Sequence, residues 1–282
     1  MFCLLTFTTL ASGSSGNAAV ISCGDTHVLL DAGISARRIT TGLAALGLRP
    51  EELTAILVTH EHHDHISGLQ VLTKKLRTPI VATGPTCQPI AEKAPNTADL
   101  LRQCTPGRGF ALGCLWVEPF ATPHDAAGSV GYSIAGEDRR LVLATDLGYV
   151  TQEVLDQARG CDLLVCETNH DEDWVRSGPY PYHLKARVLG DRGHLSNEAG
   201  AELAAAAVQT GAGAVILAHL SSENNTPARA RETVCCRLRA MGCDPEEDIS
   251  LAVAPRKELG PTYHLDGRRE PAALWTKEAA IC

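Results

Sequence analysis

Large rings are scarce in this chain. Four Phe, three Trp and five Tyr make up 4% of 282 residues. A core of such a composition has to be built from Leu, Val, Ile and Ala, which a hydrophobic content of 44% allows. A basic excess is also missing. Lys and Arg number 25 against 33 Asp and Glu, for a formal net charge of −8, which argues against tight, non-specific binding of nucleic acid over a broad face. A narrow basic groove or metal-held phosphates remain compatible with it. No C-x-x-C pair occurs among the 11 cysteines, the number is odd, and Cys235 and Cys236 are adjacent. That usage suits reduced thiols in a cytoplasm rather than a disulfide framework, so the expected location is cytoplasmic. The apolar stretch Met1–Leu10 lacks a basic leader and is too short to span a bilayer, so it is expected to be a first strand and no membrane partner is expected. Neither a linker nor a low-complexity tract is visible. One domain over residues 1–265, followed by a tail at 266–282 rich in charge and turn formers, is the expected organisation.

Against this plain background one stretch stands out: Thr59-His-Glu-His-His-Asp-His65. The apolar run Leu53–Val58 leads into it with the length and branching of a buried strand, and Ile66, Leu69, Leu72 and Leu76 follow at helical spacing. The motif therefore falls on a strand-to-helix loop, the helix starting near His65. In an extended loop His60, His62 and Asp64 point to one side, with His65 approaching from a second direction. Imidazoles and a carboxylate at this density are ligands for zinc, manganese or iron, and four such groups exceed the needs of one ion with an open position. His63 reads as a spacer.

Other candidates lie at the ends of apolar runs. His124 follows the strand Leu115–Pro119, Asp146 ends the hairpin Val130–Ala135/Arg140–Ala144, and His219 ends Ala214–Ala218, while Cys161–Glu167 reads as a further buried strand. Asp31 closes an earlier hairpin, either as a turn residue or as a hydrogen-bond partner of a ligand histidine. His27 lies within a strand and is expected to be packed. Gly13 and Gly16 shape a small polar turn in which Ser14 and Ser15 could meet an anion, or which is a plain hairpin loop. Gly193-His194-Leu-Ser196 precedes the helix Glu198–Gln209, which Ser196 or Asn197 can cap, and a helix N-terminus favours negative charge. Asn169 and His170 stand where they could face a substrate. Residues 171–189, with Pro179-Tyr-Pro-Tyr182, His183, Lys185 and Arg187, read as an inserted loop over the site mouth.

The H-x-H-x-D-H string after a buried strand resembles the metallo-β-lactamase superfamily. Ser12-Gly-Ser-Ser-Gly-Asn17, Gly190-Asp-Arg-Gly-His-Leu-Ser-Asn197 and Ala218-His-Leu-Ser-Ser-Glu-Asn-Asn225 narrow the likeness to the YycJ/WalJ-like branch, related to the superfamily's nucleases. The resemblance implies an α/β fold, a four-layer αβ/βα sandwich, holding two divalent metal ions (zinc or manganese, with iron an option). It implies one ion on His60, His62 and His124, the other on Asp64, His65 and His219, with Asp146 and a hydroxide bridging. Asp64 and His194 would be the catalytic groups, and Ser14, Ser15, Asn169, Ser196 and Asn197 the substrate contacts. The implied activity is a phosphodiesterase on nucleic acid, a 5′-to-3′ exonuclease preferring DNA, with RNA as a second possible substrate. A small-molecule thioester, lactone or lactam hydrolase on the same metals is the alternative, and a non-catalytic metal-dependent scaffold a third reading.

Overall fold

The computed structural model describes residues 4–265, so the expected tail lies outside the described residues. The chain begins β1 (Leu5–Ala11), β2 (Ala18–Cys23), β3 (Thr26–Leu30), α1 (Ala36–Ala45), β4 (Leu53–Leu57), α2 (His63–Ile66), α3 (Leu69–Leu72), β5 (Ile80–Thr83), α4 (Gly84–Lys93) and β6 (Leu101–Cys104). It continues β7 (Phe110–Leu112), β8 (Leu115–Ala121), β9 (Val130–Gly136), β10 (Arg139–Ala144), α5 (Gln152–Ala158), β11 (Leu163–Glu167), α6 (Glu172–Ser177) and α7 (Tyr182–Val188). The described chain ends α8 (Asn197–Gln209), β12 (Ala214–Ala218), α9 (Pro227–Ala240), β13 (Ser250–Val253) and β14 (Thr262–Leu265).

Two seven-stranded sheets form, ordered β14-β1-β2-β3-β4-β5-β6 and β13-β12-β11-β10-β9-β8-β7. Three apolar clusters show how they stack. One lies between the sheets, where Phe7, Ile21, Val28 and Leu57 meet Val117, Tyr132, Ile134 and Val165. A second joins the outer face of the first sheet to α1, α3 and α4 through Val20, Leu29, Ile56, Leu43, Leu69 and Ile90. The third joins the second sheet to α5, α8 and α9 through Val142, Leu164, Val215, Val154, Leu203 and Val234. The two-residue period of a strand decides which side chain goes where: Ala55 and Leu57 of β4 enter the inter-sheet cluster, Ile56 and Val58 the outer one. The result is the expected αβ/βα sandwich.

Strand direction places the site. In the second sheet β10, β11 and β12 are mutually parallel. Strand β8 is antiparallel to β9, which is antiparallel to β10, so β8 also runs their way. In the first sheet β3, β4 and β5 are parallel. The residues just beyond β3, β4, β8, β10, β11 and β12 therefore gather along one edge, as ligand sites do at the carboxyl ends of parallel strands.

Several local expectations change. The helix after the motif is not continuous. It starts at His63, with His62 as its N-cap, and breaks at Ser67–Gly68. The carbonyl of Asp64, which a continuing helix would bond to Gly68, accepts instead from Asn17 N–H at 2.8 Å, and Gly68 N–H goes to Ala32 O at 2.8 Å. Residues 85–104, whose Pro85, Pro89 and Pro95 predict an interrupted helix and loop, instead carry α4 running through Pro89 and then β6. The inserted loop at 171–189 carries two short helices, α6 and α7. Edge strands β6 and β14 had no sequence counterpart, since both are short and mostly exposed. Among the described residues no helix is long and apolar enough to cross a membrane.

Candidate metal centre

Three of the site's residues adopt a left-handed backbone: Asp31 (φ 58°), Asp146 (φ 60°) and His219 (φ 57°). Each follows a strand by one or two residues, and the turn redirects the side chain from the sheet to its edge. For residues with a Cβ such a conformation costs roughly 1–3 kcal/mol, so the surrounding contacts must hold it.

The donor atoms gather in overlapping groups, two of which match the expected ligand sets. His60, His62 and His124 offer nitrogens all within 4.8 Å of one another, and so do the donors of Asp64, His65 and His219. Two ligands on a tetrahedral cation, each about 2.1 Å from it, stand about 3.4 Å apart. The separations match. His62 Nδ1 is 3.3 Å from His124 Nε2, His219 Nε2 is 3.3 Å from Asp64 Oδ2, and His65 Nε2 is 3.4 Å from Asp64 Oδ2. Asp146 lies between the sets, with Oδ1 3.7 Å from His124 Nε2 and Oδ2 3.5 Å from His65 Nε2. Two buried atoms there, His60 Nε2 and Asp146 Oδ2, have no hydrogen-bond partner. Buried polar atoms are nearly always paired, and a cation supplies what both lack. The residues present thus fit metal binding. The early start of α2 is what moves Asp64 out of line with His60 and His62 and over to His65 and His219.

Behind the donors lies a layer that fixes the imidazoles. Asp31 Oδ2 accepts from His65 Nδ1 at 2.7 Å, and Thr59 N–H donates to Asp31 Oδ1 at 2.9 Å. Gly193 O accepts from His124 Nδ1 at 3.0 Å. Glu167, fully buried, accepts four times. Its Oε1 takes His194 Nδ1 at 2.8 Å and His219 Nδ1 at 2.9 Å, while Oε2 takes the N–H of Leu147 at 2.9 Å and of Leu195 at 3.1 Å. With Nδ1 committed in this way, Nε2 of His65, His124 and His219 is left for a metal. Asp31 is therefore both readings at once, a turn residue and a partner of a ligand histidine.

Charge follows the same division. Burial, with the nearby histidines, holds the His60 imidazolium well below its usual range. Burial also works against a charged His219, yet Asp146, Asp64 and Glu167 push its pKa up to about 10. His65 is raised in the same way, burial being outweighed by Asp31, Asp146 and Asp64. Burial disfavours ionised Asp64 and Glu167, but the facing histidines hold both below the carboxylate range.

His194 stands beside both sets. Its Nδ1 is bound to Glu167 and lies 3.6 Å from Asp146 Oδ1, and its side chain is 20% exposed, so Nε2 is the atom left for a substrate. His63 is exposed and lies in neither donor set, and His27, on β3, bonds Ser22 Oγ of the neighbouring β2. Ser14 and Ser15 form the exposed tip of a turn closed by Gly16 N–H to Gly13 O, 3.0 Å. Three expected substrate contacts are spent otherwise. Asn169 is buried and donates to His219 O at 2.7 Å, which holds the left-handed turn in place. Asn197 is fully buried against Asn225, which donates to it at 2.8 Å. The Ser196 hydroxyl caps α8, accepting from Ala199 N–H at 3.2 Å, so that helix start is closed from within.

Three residues at the site were not singled out from the sequence. Asn17 Nδ2 lies 3.2 Å from His65 Nε2 and 3.4 Å from Asp64 Oδ2. Glu167 had a visible signal, a carboxylate ending an otherwise apolar buried strand. Asp125, next to His124, approaches His62 Nε2 at 3.8 Å and accepts from Arg187 Nε at 2.6 Å.

A family profile described as a beta-lactamase superfamily domain matches residues 26–220. The exodeoxyribonuclease WalJ of Streptococcus pneumoniae is 37% identical over 237 residues, 82% of this chain and 87% of that protein. The exodeoxyribonuclease YycJ of Bacillus anthracis is 36% identical over 239 residues, 84% of this chain and 90% of that one. Among solved structures, the metallo-β-lactamase fold protein YhfI of Bacillus subtilis superposes with a TM-score of 0.70 at 17% identity, over 93% of this chain and 99% of its own. Fold, donor sets and sequence agree: the chain belongs to the metallo-β-lactamase superfamily, in its WalJ/YycJ branch.

Proposed function

We propose that this protein is a dinuclear metal-dependent phosphodiesterase that digests DNA from the 5′ end. The observation that carries this is the pair of tetrahedrally spaced donor sets with the Asp146 carboxylate reaching both and His194 alongside. His60, His62 and His124 would hold one cation and Asp64, His65 and His219 the other, with zinc or manganese suited to these donors. Bound there, divalent cations supply a nucleophile from water at neutral pH and offset charge on the phosphate. The chain's own residues do the rest. His194, oriented by Glu167, presents Nε2 to a phosphate oxygen or to the departing 3′ oxygen, which it can protonate. Asp64 would serve the second cation, and Asp146, which lies between the two donor sets, would be shared by both. The names of the relatives at 36–37% identity favour DNA over RNA and an end-directed mode of attack. A cytoplasmic location suits the free thiols Cys235 and Cys236.

The test offers 5′- and 3′-labelled single-stranded DNA, duplex DNA and RNA to the enzyme while Mn2+ or Zn2+ is titrated in. Mononucleotides should leave the 5′ end of DNA, and chelation should stop it. Turnover of a thioester or lactone panel with no cleavage of any nucleic acid would overturn the assignment.

A further inference from the structure

The catalytic edge extends past the strands that carry the donors. Strand β1 is antiparallel to β2 and β2 to β3, so β1 runs with β3 and ends at this edge. Strand β13 is parallel to β12 and ends there too. The turn after β1 and the loop after β13 meet, with Ser12 N–H donating to Pro255 O at 3.0 Å. On its other side the turn touches the second donor set. Ser12 Oγ accepts from His219 N–H at 3.0 Å. Asn17, which accepts from Gly13 N–H at 2.9 Å and so closes the turn, lies against His65 and Asp64.

Arg256, just past β13, reaches the loop that follows His219. Its side chain packs on Gly13, where a Cβ would lie 3.4 Å from Arg256 Cγ. Its Nη2 donates to Ser221 O and, at 3.2 Å, to Asn225 O. Ser221 is two residues past His219, at most about 7 Å of chain. Main-chain carbonyls thus hold the guanidinium near the metal donors, and they satisfy hydrogen bonds without neutralising its charge. Its Nε is buried without a partner, and no carboxylate among the described residues pairs with it. A fixed, partly buried cation with unspent donors on its fork is matched to an anion.

The neighbouring turn has free donors as well. Ser14 and Ser15 are exposed, and neither their N–H groups nor their hydroxyls bond to any described residue. Successive free N–H groups in a turn form an anion-binding concavity. Local charge agrees. Residues 33–38 join the cluster through Gly33 N–H to Asn17 O at 2.8 Å and Arg38 Nη2 to Lys257 O at 2.9 Å. Together with residues 12–17, 220–225 and 255–258 they carry Arg37, Arg38, Arg256 and Lys257 against Glu223 and Glu258. The balance is positive here, in a chain whose net charge is −8.

We propose that Arg256, with Ser14 and Ser15, binds the 5′-terminal phosphate of the DNA strand while the next phosphate lies at the metals. This rests on the nuclease reading above and adds to it the group by which the strand end is recognised. The terminal phosphate and the one being cut flank a single nucleoside, which agrees with a cation so close in the chain to His219. A terminal monoester carries about 1.5–2 negative charges and three free oxygens, more than a diester within the strand. A guanidinium fork beside free N–H groups therefore favours the end over the interior.

The test measures kcat/KM on two DNA single strands of one sequence, one with a 5′ phosphate and one with a 5′ hydroxyl. The enzymes are Mn2+-loaded wild type, Arg256→Gln and Arg256→Lys. The readout is the ratio between the two substrates within each enzyme, in which metal content and folded fraction cancel. Wild type should favour the phosphate by about 10- to 150-fold, the worth of a hydrogen bond to a charged group. Arg256→Gln should bring the ratio close to one, and Arg256→Lys, a point charge without the fork, should keep part of it. Arg256 also ties down the loop after His219, and a role confined to that would slow both strands alike. A wild-type ratio of one, or an Arg256→Gln ratio equal to that of wild type, overturns the subsite and leaves the nuclease reading standing. A wild type that cuts neither strand overturns both.

Discussion

Replacing Glu167 by Gln tests how far the donor sets depend on the layer behind them. The carboxylate has no exposure to solvent and accepts hydrogen bonds from His194, His219, Leu147 N–H and Leu195 N–H. Gln offers one oxygen and one NH2. Setting the NH2 at the Oε2 position opposes it to two main-chain N–H groups, which cannot move their hydrogens. Setting it at the Oε1 position opposes it to two imidazoles, which can. The amide therefore turns its NH2 to the histidines, and His219 shifts its proton from Nδ1 to Nε2. That nitrogen is the one 3.3 Å from Asp64 Oδ2, and once protonated it no longer binds a metal. Loss of such a supporting partner costs about 10- to 100-fold in metal affinity, or about 1.4–2.8 kcal/mol. Calorimetric titration of the metal-stripped variant with Zn2+ should show one weakened site and one near the wild-type affinity, because His60, His62 and His124 do not touch Glu167 directly. Turnover should fall further, since His194 loses its orientation as well. A Glu167→Gln protein that binds two metals as tightly as wild type, at unchanged turnover, would refute this account of the tautomers.

Other expectations follow from single contacts. His194→Ala should keep its metal content and lose about 10²- to 10⁴-fold in kcat, read by metal analysis and steady-state kinetics side by side. Gly33→Ala should destabilise by about 1–3 kcal/mol or more and lower metal content, because its Cβ would lie 1.5 Å from the Asp64 carbonyl oxygen; urea unfolding measures it. His170 is buried and its pKa is lowered to about 4, burial being the main cause. Both states are neutral there above pH 6.5. Below it the unfolded chain binds a proton that the native state refuses until about pH 4, so stability falls as pH drops through that window, by up to about 3 kcal/mol. The difference in urea midpoints between wild type and His170→Gln should shrink as pH falls from 7 to 4.5, and a difference independent of pH would refute it.

The donors were legible because each is announced locally. His60, Asp146 and His219 stand just past apolar strands, and a strand's length and alternation are written in its own residues. Parallel order then leaves only one edge for such ends to share. The backing layer was not legible in the same way. Asn17 reaches His65 across 48 positions, and nothing in the Ser12–Asn17 turn itself says which way that amide faces. Glu167 was visible as a strand end, but its four partners come from β10, β12 and the loop before α8. Asn169 and Asn197 were misplaced for the converse reason: polar residues near a site look alike in sequence whether they meet a ligand or a buried main chain. The break after α2 depended on Asn17 taking the carbonyl of Asp64, a competition between hydrogen bonds that helical periodicity cannot register. Sequence by itself thus determined the family and, through that resemblance, the fold, and it named candidate donors at strand ends that the structure brings within 4.8 Å of one another. Only the tertiary structure decided which nitrogen each imidazole presents and which buried groups stand behind it. Those depend on atoms brought together from segments far apart in the chain, and directional bonds among them carry no local signature.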